Sequence, residues 1–317
     1  MEYIILLVSL AGIVFGADQL VAGAVSIARK FKVSDFVIGA AIVGVGTSMP
    51  ELVVSFIGAL NGNPDVAIGN VVGSNIFNVF GILGLTALFF PIAVSKTNMR
   101  FELPVCIGVS LLLTILVFNF FTGGSPVISR PDGIILLLCF GLFMWYSLYR
   151  DRKAGKTAED APAEEDRTPF WLALVKVVGG LAVLITSCDF FVDNAVLIAK
   201  SFGVNDAFIS LTLIACGTSL PELAASIAAA LKKNTQLALG NVIGSNIFNI
   251  TWILGLSSQV MPLNSSGITA VDYCVMIVAA IVPMILGVKG RISRGAGAFM
   301  FICFVAYTWY LISHQIA

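Results

Sequence analysis

Two stretches of this chain set oxygen-bearing side chains in the middle of otherwise apolar sequence. The first is Gly46-Thr47-Ser48-Met49-Pro50-Glu51 and the second Gly217-Thr218-Ser219-Leu220-Pro221-Glu222. Each is followed by a further polar set, Gly69-Asn70-Val71-Val72-Gly73-Ser74-Asn75-Ile76-Phe77-Asn78 and Gly240-Asn241-Val242-Ile243-Gly244-Ser245-Asn246-Ile247-Phe248-Asn249. A charge at the centre of a bilayer costs upward of about 2.5 kcal/mol even on the mildest scale and is kept only with a partner. No Lys or Arg stands near Glu51 or Glu222 in these runs, so the two acids call for a bound cation or for protons. A proline inside a helix removes a backbone donor and clashes with the carbonyl four residues back. Pro50 and Pro221 should therefore kink their helices and bare the carbonyls of Gly46 and Gly217, which at membrane depth must be satisfied by protein, water or ions. Thr47, Ser48, Thr218 and Ser219 add hydroxyl oxygens to the same turns. Ser74 and Asn78 are four apart and share a helix face, as do Ser245 and Asn249, and Asn78 and Asn249 are read as part of the site. Asn70 and Asn241 stand between a site role and a structural one. Gly69 with Gly73, and Gly240 with Gly244, read as small faces where helices approach closely.

The donor set consists of carboxylates, hydroxyls, amides and carbonyls. The six cysteines form no CxxC pair, and His314 is the only histidine, which disfavours zinc and copper. Calcium takes 6–8 oxygens in flexible geometry, whereas magnesium holds to a fixed octahedron and keeps its waters. Two carboxylates balance one divalent ion or two monovalent ones. There is no nucleophile beside a base and no metal-ligand cluster, so the chain is not read as an enzyme and no cofactor is expected. With 18 basic and 18 acidic residues, no basic patch points to nucleic acid.

The elements that hold these motifs have to be membrane spans. Of 317 residues 58% are hydrophobic and 11% charged, with mean hydropathy +0.98, against about 25% charged in a soluble domain. So little polar surface cannot cover a water-exposed globule. A spanning helix needs about 20 mostly apolar residues. Ten such runs lie near 3–28, 35–60, 65–90, 102–121, 131–149, 169–199, 206–231, 236–260, 268–288 and 296–313. The first has no basic stretch ahead of it and reads as a retained span, not a cleaved leader. Residues 150–168 are a charged connector. The fold expected is an all-α polytopic membrane protein of ten transmembrane helices, with helices 2 and 7 kinked. Alternate loops hold Arg29, Lys30, Lys32, Lys96, Arg100, Arg150, Arg152, Lys153, Lys156, Arg167, Lys232, Lys233, Lys289, Arg291 and Arg294, and the opposite loops only Arg130 and Lys200. By the positive-inside rule the connector is cytoplasmic and both termini are outside.

Residues 46–85 and 217–256 align without a gap, with 24 identities in 40 positions, and the same offset pairs Asp18 with Asp189 and Asp35 with Asp206. The matched Thr, Ser, Pro, Glu and Asn exceed what shared apolar composition gives, so the chain reads as a duplication: a first repeat over 1–149 and a second over 169–317. Each half has an odd number of spans, so the second enters the membrane from the opposite side. Inverted repeats of this kind hold a transport site near the midplane on interrupted helices, and exchanging the conformations of the two halves alternates access within one subunit. A monomer suffices for that. Whether Asp18 and Asp189 line an entry path or pair locally is open at this level.

At these motifs the chain resembles the cation/calcium exchanger superfamily, whose repeats carry G-T-S-x-P-E followed by G-N-x-x-G-S-N-I-x-N. Without a large cytoplasmic insert it looks like the compact prokaryotic sodium/calcium exchangers, and the resemblance covers both repeats. It implies a cluster of ion sites between spans 2, 3, 7 and 8. Glu51 and Glu222 would be the shared central carboxylates. Thr47 and Thr218 would supply oxygens to calcium, and Ser48, Ser74, Ser219 and Ser245, with the carbonyls of Gly44 and Ala215, oxygens to sodium. Asn78 matches the family asparagine. At the position of Asn249 some archaeal members and the potassium-dependent branch carry Asp, so Asn here implies independence from potassium. Spans 1 and 6 would slide across the rest. The function implied is sodium-for-calcium antiport in a prokaryotic plasma (inner) membrane, with calcium, sodium and the lipid bilayer as partners. A proton/calcium antiporter is the alternative reading; hydroxyls and amides serve sodium and not protons. A cation channel would instead require a continuous polar pore.

Overall fold

The computed structural model describes residues 2–118, 126–154, 168–201, 217–265 and 267–315. The helices are α1 (Glu2–Phe31), α2 (Asp35–Thr47), α3 (Met49–Leu60), α4 (Pro64–Phe89), α5 (Asn98–Val117), α6 (Arg130–Ala154), α7 (Phe170–Ser201), α8 (Leu220–Leu231), α9 (Thr235–Val260), α10 (Ala270–Leu286) and α11 (Arg294–Gln315). Among the described residues seven helices are long and apolar enough to cross a membrane, and the bent pair α2–α3 reaches the same length and apolarity when taken as one. Helices α8 and α10 are apolar but shorter. The first half of the seventh predicted span, with Asp206, Ala215 and Cys216, lies outside the described residues.

The expected break in the second span is present. Helices α2 and α3 meet at 49°, where Ser48 leaves helical geometry (φ −82°, ψ 11°) and Pro50 occupies the first turn of α3. Proline is tolerated there because the first-turn N–H has no intrahelical acceptor. Helix α8 starts the same way, after Ser219 (φ −95°, ψ 8°) and with Pro221 in its first turn.

The outer surface is apolar, and a polar cluster is enclosed within a largely apolar interior. Leu138, Trp145, Val175, Ile285 and Trp309 are exposed, while Thr47, Ser48, Glu51, Ser219, Glu222, Ser245 and Asn249 are fully buried. Lipid takes the role that water has around a soluble protein, and helices then associate through small residues and polar contacts. Helices α1 and α7 cross at Gly16 and Gly180, where an added Cβ would sit 2.6 Å from the backbone of Leu184 or Leu20. Gly240 and Gly244 of α9 meet Phe36 and Ala40 of α2 in the same manner, with clearances of 2.2 and 2.4 Å. The close-packing expectation thus holds in the second repeat. In the first, Gly69 and Gly73 line a cavity of about 320 Å³ with Asn70, Ser74, Tyr307 and Thr308.

Short contacts tie the connecting segments together. Strand β1 (Ile92–Ala93) pairs antiparallel with β4 (Arg291–Ile292), and β2 (Val127–Ile128) with β3 (Leu263–Asn264). Ser34 caps α2, and its N–H and Oγ both donate to Asp151 at 2.9 and 2.6 Å. Asp65 accepts from the Gly267 N–H at 2.9 Å. Asp18 is ion-paired with Lys232 at 2.7 Å, whereas Asp189 is exposed on α7.

Candidate ion-binding site

The two carboxylates sit where a helix favours negative charge. Glu51 lies in the first turn of α3 and Glu222 in the first turn of α8, at the positive ends of the two helix dipoles. The breaks just before them free the serines to reach across the molecule. Ser48 Oγ donates to Glu222 Oε1 at 2.7 Å, and Ser219 Oγ donates to Glu51 Oε1 at 2.7 Å. All four residues are 0% exposed. Each repeat therefore holds the other's carboxylate through its own serine, and Ser74 Oγ joins at 3.3 Å from Ser219 Oγ.

The remaining predicted residues gather around this crossing. Thr47 Oγ1 donates to the Val43 carbonyl at 3.0 Å and lies 3.3 Å from Asn241 Oδ1, so its lone pairs remain available. Ser245 Oγ donates to the Gly44 carbonyl at 3.2 Å, which also accepts from Ser48 N–H. Among the described residues Thr218 Oγ1 is buried without a hydrogen-bond partner. Ala215 lies outside the described residues.

Asn70 and Asn241 turn out to brace the site. Asn70 Nδ2 donates to the Glu51 carbonyl at 3.1 Å and to Ser55 Oγ at 2.9 Å. Asn241 Nδ2 makes the matched bonds to the Glu222 carbonyl at 3.0 Å and to Ser226 Oγ at 2.8 Å. These bonds tie α4 to α3 and α9 to α8 behind the carboxylates.

Among the described residues five buried oxygens of these motifs have no hydrogen-bond partner: Glu51 Oε2, Glu222 Oε2, Thr218 Oγ1, Asn78 Oδ1 and Asn249 Oδ1. Among the described residues neither carboxylate takes part in an ion pair. A buried polar group left unsatisfied costs about 1–3 kcal/mol, and more when charged. A cation that accepts several oxygens at once removes that cost for all of them. Hard oxygen ligands and two carboxylates fit calcium, or sodium in greater number.

Two residues of the doubled motif went without a role in the sequence reading. Asn75 and Asn246 contact Asn249 and Asn78 through their side-chain amides at 3.2 and 3.0 Å. Their place one turn before Asn78 and Asn249 was the available signal. A second feature has no signature in residue type: both helices widen to five-residue hydrogen-bond spacing, over Phe77–Leu83 in α4 and Asn249–Ile253 in α9. Such wide turns are frequent at functional sites.

Comparison with known proteins agrees with this geometry. A family model described as sodium/calcium exchanger protein matches residues 1–149 and 172–313. A protein of Alkalimonas amylolytica that carries the antiporter name CaxA is 40% identical over 321 residues, 98% of each chain. The sodium/calcium exchanger MaX1 of Methanosarcina acetivorans is 30% identical, over 96% of this chain and 97% of its own. Among solved structures, the sodium-calcium exchanger NCX_Mj soaked with zero Na+ and Ca2+ superposes with a TM-score of 0.84 at 30% identity, covering 98% of each chain.

Proposed function

This chain belongs to the sodium/calcium exchanger family, and from that premise we propose that it is a secondary active antiporter that exchanges sodium for calcium by alternating access. The observation that carries the reading is the crossed pair of serine–glutamate bonds, which joins two buried carboxylates that, among the described residues, have no basic partner and whose second oxygens, with those of Asn78, Asn249 and Thr218, are unsatisfied. Glu51 and Glu222 neutralise calcium, and Thr47 and Thr218 add oxygens to it. Ser48, Ser74, Ser219 and Ser245, with the carbonyls of Gly44 and Ala215, serve sodium. Asn78 and Asn249 complete the oxygen set.

The architecture proposed is ten spans in two inverted repeats, 1–149 and 169–317, joined by a cytoplasmic connector over 150–168, with both termini outside. The pairing of connecting segments supports it. Ser34 meets Asp151, and β1 meets β4, on the side that the basic residues assign to the cytoplasm. The partners β2 and β3, and Asp65 with Gly267, belong to loops assigned to the outside. The glycine-to-glycine crossing packs α1 and α7 closely against each other, as two long helices that move as one unit require. One subunit contains the whole site.

The test is calcium uptake into proteoliposomes loaded with sodium, with proton and potassium gradients clamped. Uptake that rises with the outward sodium gradient is expected. Uptake driven by a proton gradient and indifferent to sodium would replace this reading with proton/calcium antiport.

A further inference from the structure

We propose that Asn75 and Asn246 are positioning residues that fix the orientation of the Asn249 and Asn78 amides, so that both turn an oxygen and not an NH2 toward the transported cation. The inference rests on the ion-site reading above and names what keeps that site attractive to cations.

A side-chain amide has an acceptor at one end and two donor hydrogens at the other, in nearly the same shape. Presented by its oxygen it attracts a cation, and presented by its nitrogen it repels one. Nothing in Asn78 or Asn249 alone decides between these. The decision comes from two backbone carbonyls, which can only accept. Asn246 Nδ2 lies 3.2 Å from the carbonyl oxygen of Asn75; an oxygen placed there would face another oxygen. The Asn246 amide is thereby set, with Oδ1 facing Asn78. Asn78 must answer with its nitrogen, and Nδ2 donates to Asn246 Oδ1 at 3.0 Å. Its own Oδ1 is left buried and, among the described residues, without a partner.

The same sequence runs with the repeats exchanged. Asn75 Nδ2 donates to the carbonyl oxygen of Asn246 at 3.2 Å. Asn75 Oδ1 then accepts from Asn249 Nδ2 at 3.2 Å, and Asn249 Oδ1 is left over. All four side chains are at most 3% exposed, so bulk water does not compete for these bonds. Each half thus sets the polarity of the other half's ligand, through a chain that runs from carbonyl to amide to amide. The arrangement holds only while α4 and α9 stay packed together.

The test is a double-substitution cycle read as the calcium concentration for half-maximal uptake (KM) and the maximal rate in sodium-loaded proteoliposomes. Asn75→Leu removes the bond that sets Asn249, so KM should rise roughly tenfold, the factor that about 1.4 kcal/mol of lost binding gives, with the maximal rate much less affected. Asn249→Asp has an oxygen at both ends and needs no orienting partner. Asn75→Leu placed on Asn249→Asp should therefore leave KM where Asn249→Asp alone puts it, or lower it. The mirrored set, Asn246→Leu with Asn78→Asp, should behave alike, and it decides the matter if Asn75→Leu does not purify as a folded protein. An equal rise in KM in both backgrounds, or no rise in either, overturns the proposal. If the unsubstituted protein takes up no calcium against sodium, it is the exchange reading that fails.

Discussion

Glu51 and Glu222 each hold one oxygen on the opposite repeat's serine and, among the described residues, one oxygen unpartnered. Replacing either by Gln keeps an acceptor for the serine but halves the negative charge available to a desolvated divalent ion. Leaving a buried charge without its partner costs about 3–5 kcal/mol, so Glu51→Gln and Glu222→Gln should each lower sodium-driven calcium uptake by at least about a hundredfold. Thermal unfolding in detergent should stay near that of the parent, and robust uptake by either variant would remove the carboxylates from the site. At Asn249 the parent should work equally well when potassium is replaced by choline, because a neutral amide there leaves no third negative charge to be balanced. Asn249→Asp should impair or retune exchange, seen as a new dependence of calcium uptake on pH or on a second cation. The carboxylates, hydroxyls and Asn78/Asn249 were legible in the sequence because polar residues in an apolar run need a reason. The crossing of Ser48 to Glu222 was not, since residue types in one repeat do not say which repeat they bond to. Nor was the role of Asn75 and Asn246, which depends on a carbonyl brought from 171 positions away.

At the scale of elements, proline and apolar run length made the helices and the break before α3 readable. The two-residue strands were not readable, being too short for an alternating pattern, and the wide turns after Asn78 and at Asn249 follow from no composition rule. The second-repeat glycines show where space, not propensity, decides. A Cβ on Gly244 would come within 2.4 Å of the Ala40 Cα, so Gly244→Leu should wedge α2 off α9. Overpacking of this kind costs about 1–3 kcal/mol or more. The expected result is a lower unfolding temperature together with loss of transport, because α2 leads directly into Ser48. A variant with unchanged unfolding temperature would contradict the tight α2–α9 contact.

For the whole molecule, composition alone identified a membrane protein, and the doubled motif carries the proposed two-part plan. The proposed membrane orientation rests on the basic residues, and the contacts between loops agree with the same alternation. Single cysteines at Ser313 and Thr157, in a background with the native cysteines replaced, should react with a membrane-impermeant thiol reagent from opposite sides: Ser313 from outside intact cells and Thr157 only after the membrane is opened. Labelling of both from one side would contradict the ten-span plan. The central claim, that one alternating site binds either calcium or sodium, is tested most directly by measuring both fluxes in one preparation. Purified protein in sodium-loaded vesicles, with voltage, protons and potassium clamped, is given external calcium while sodium efflux and calcium uptake are followed together. Calcium uptake should require internal sodium, sodium efflux should require external calcium, and both should vanish in Glu51→Gln. Calcium entry that proceeds without sodium leaving, or that persists in that variant, would contradict the account.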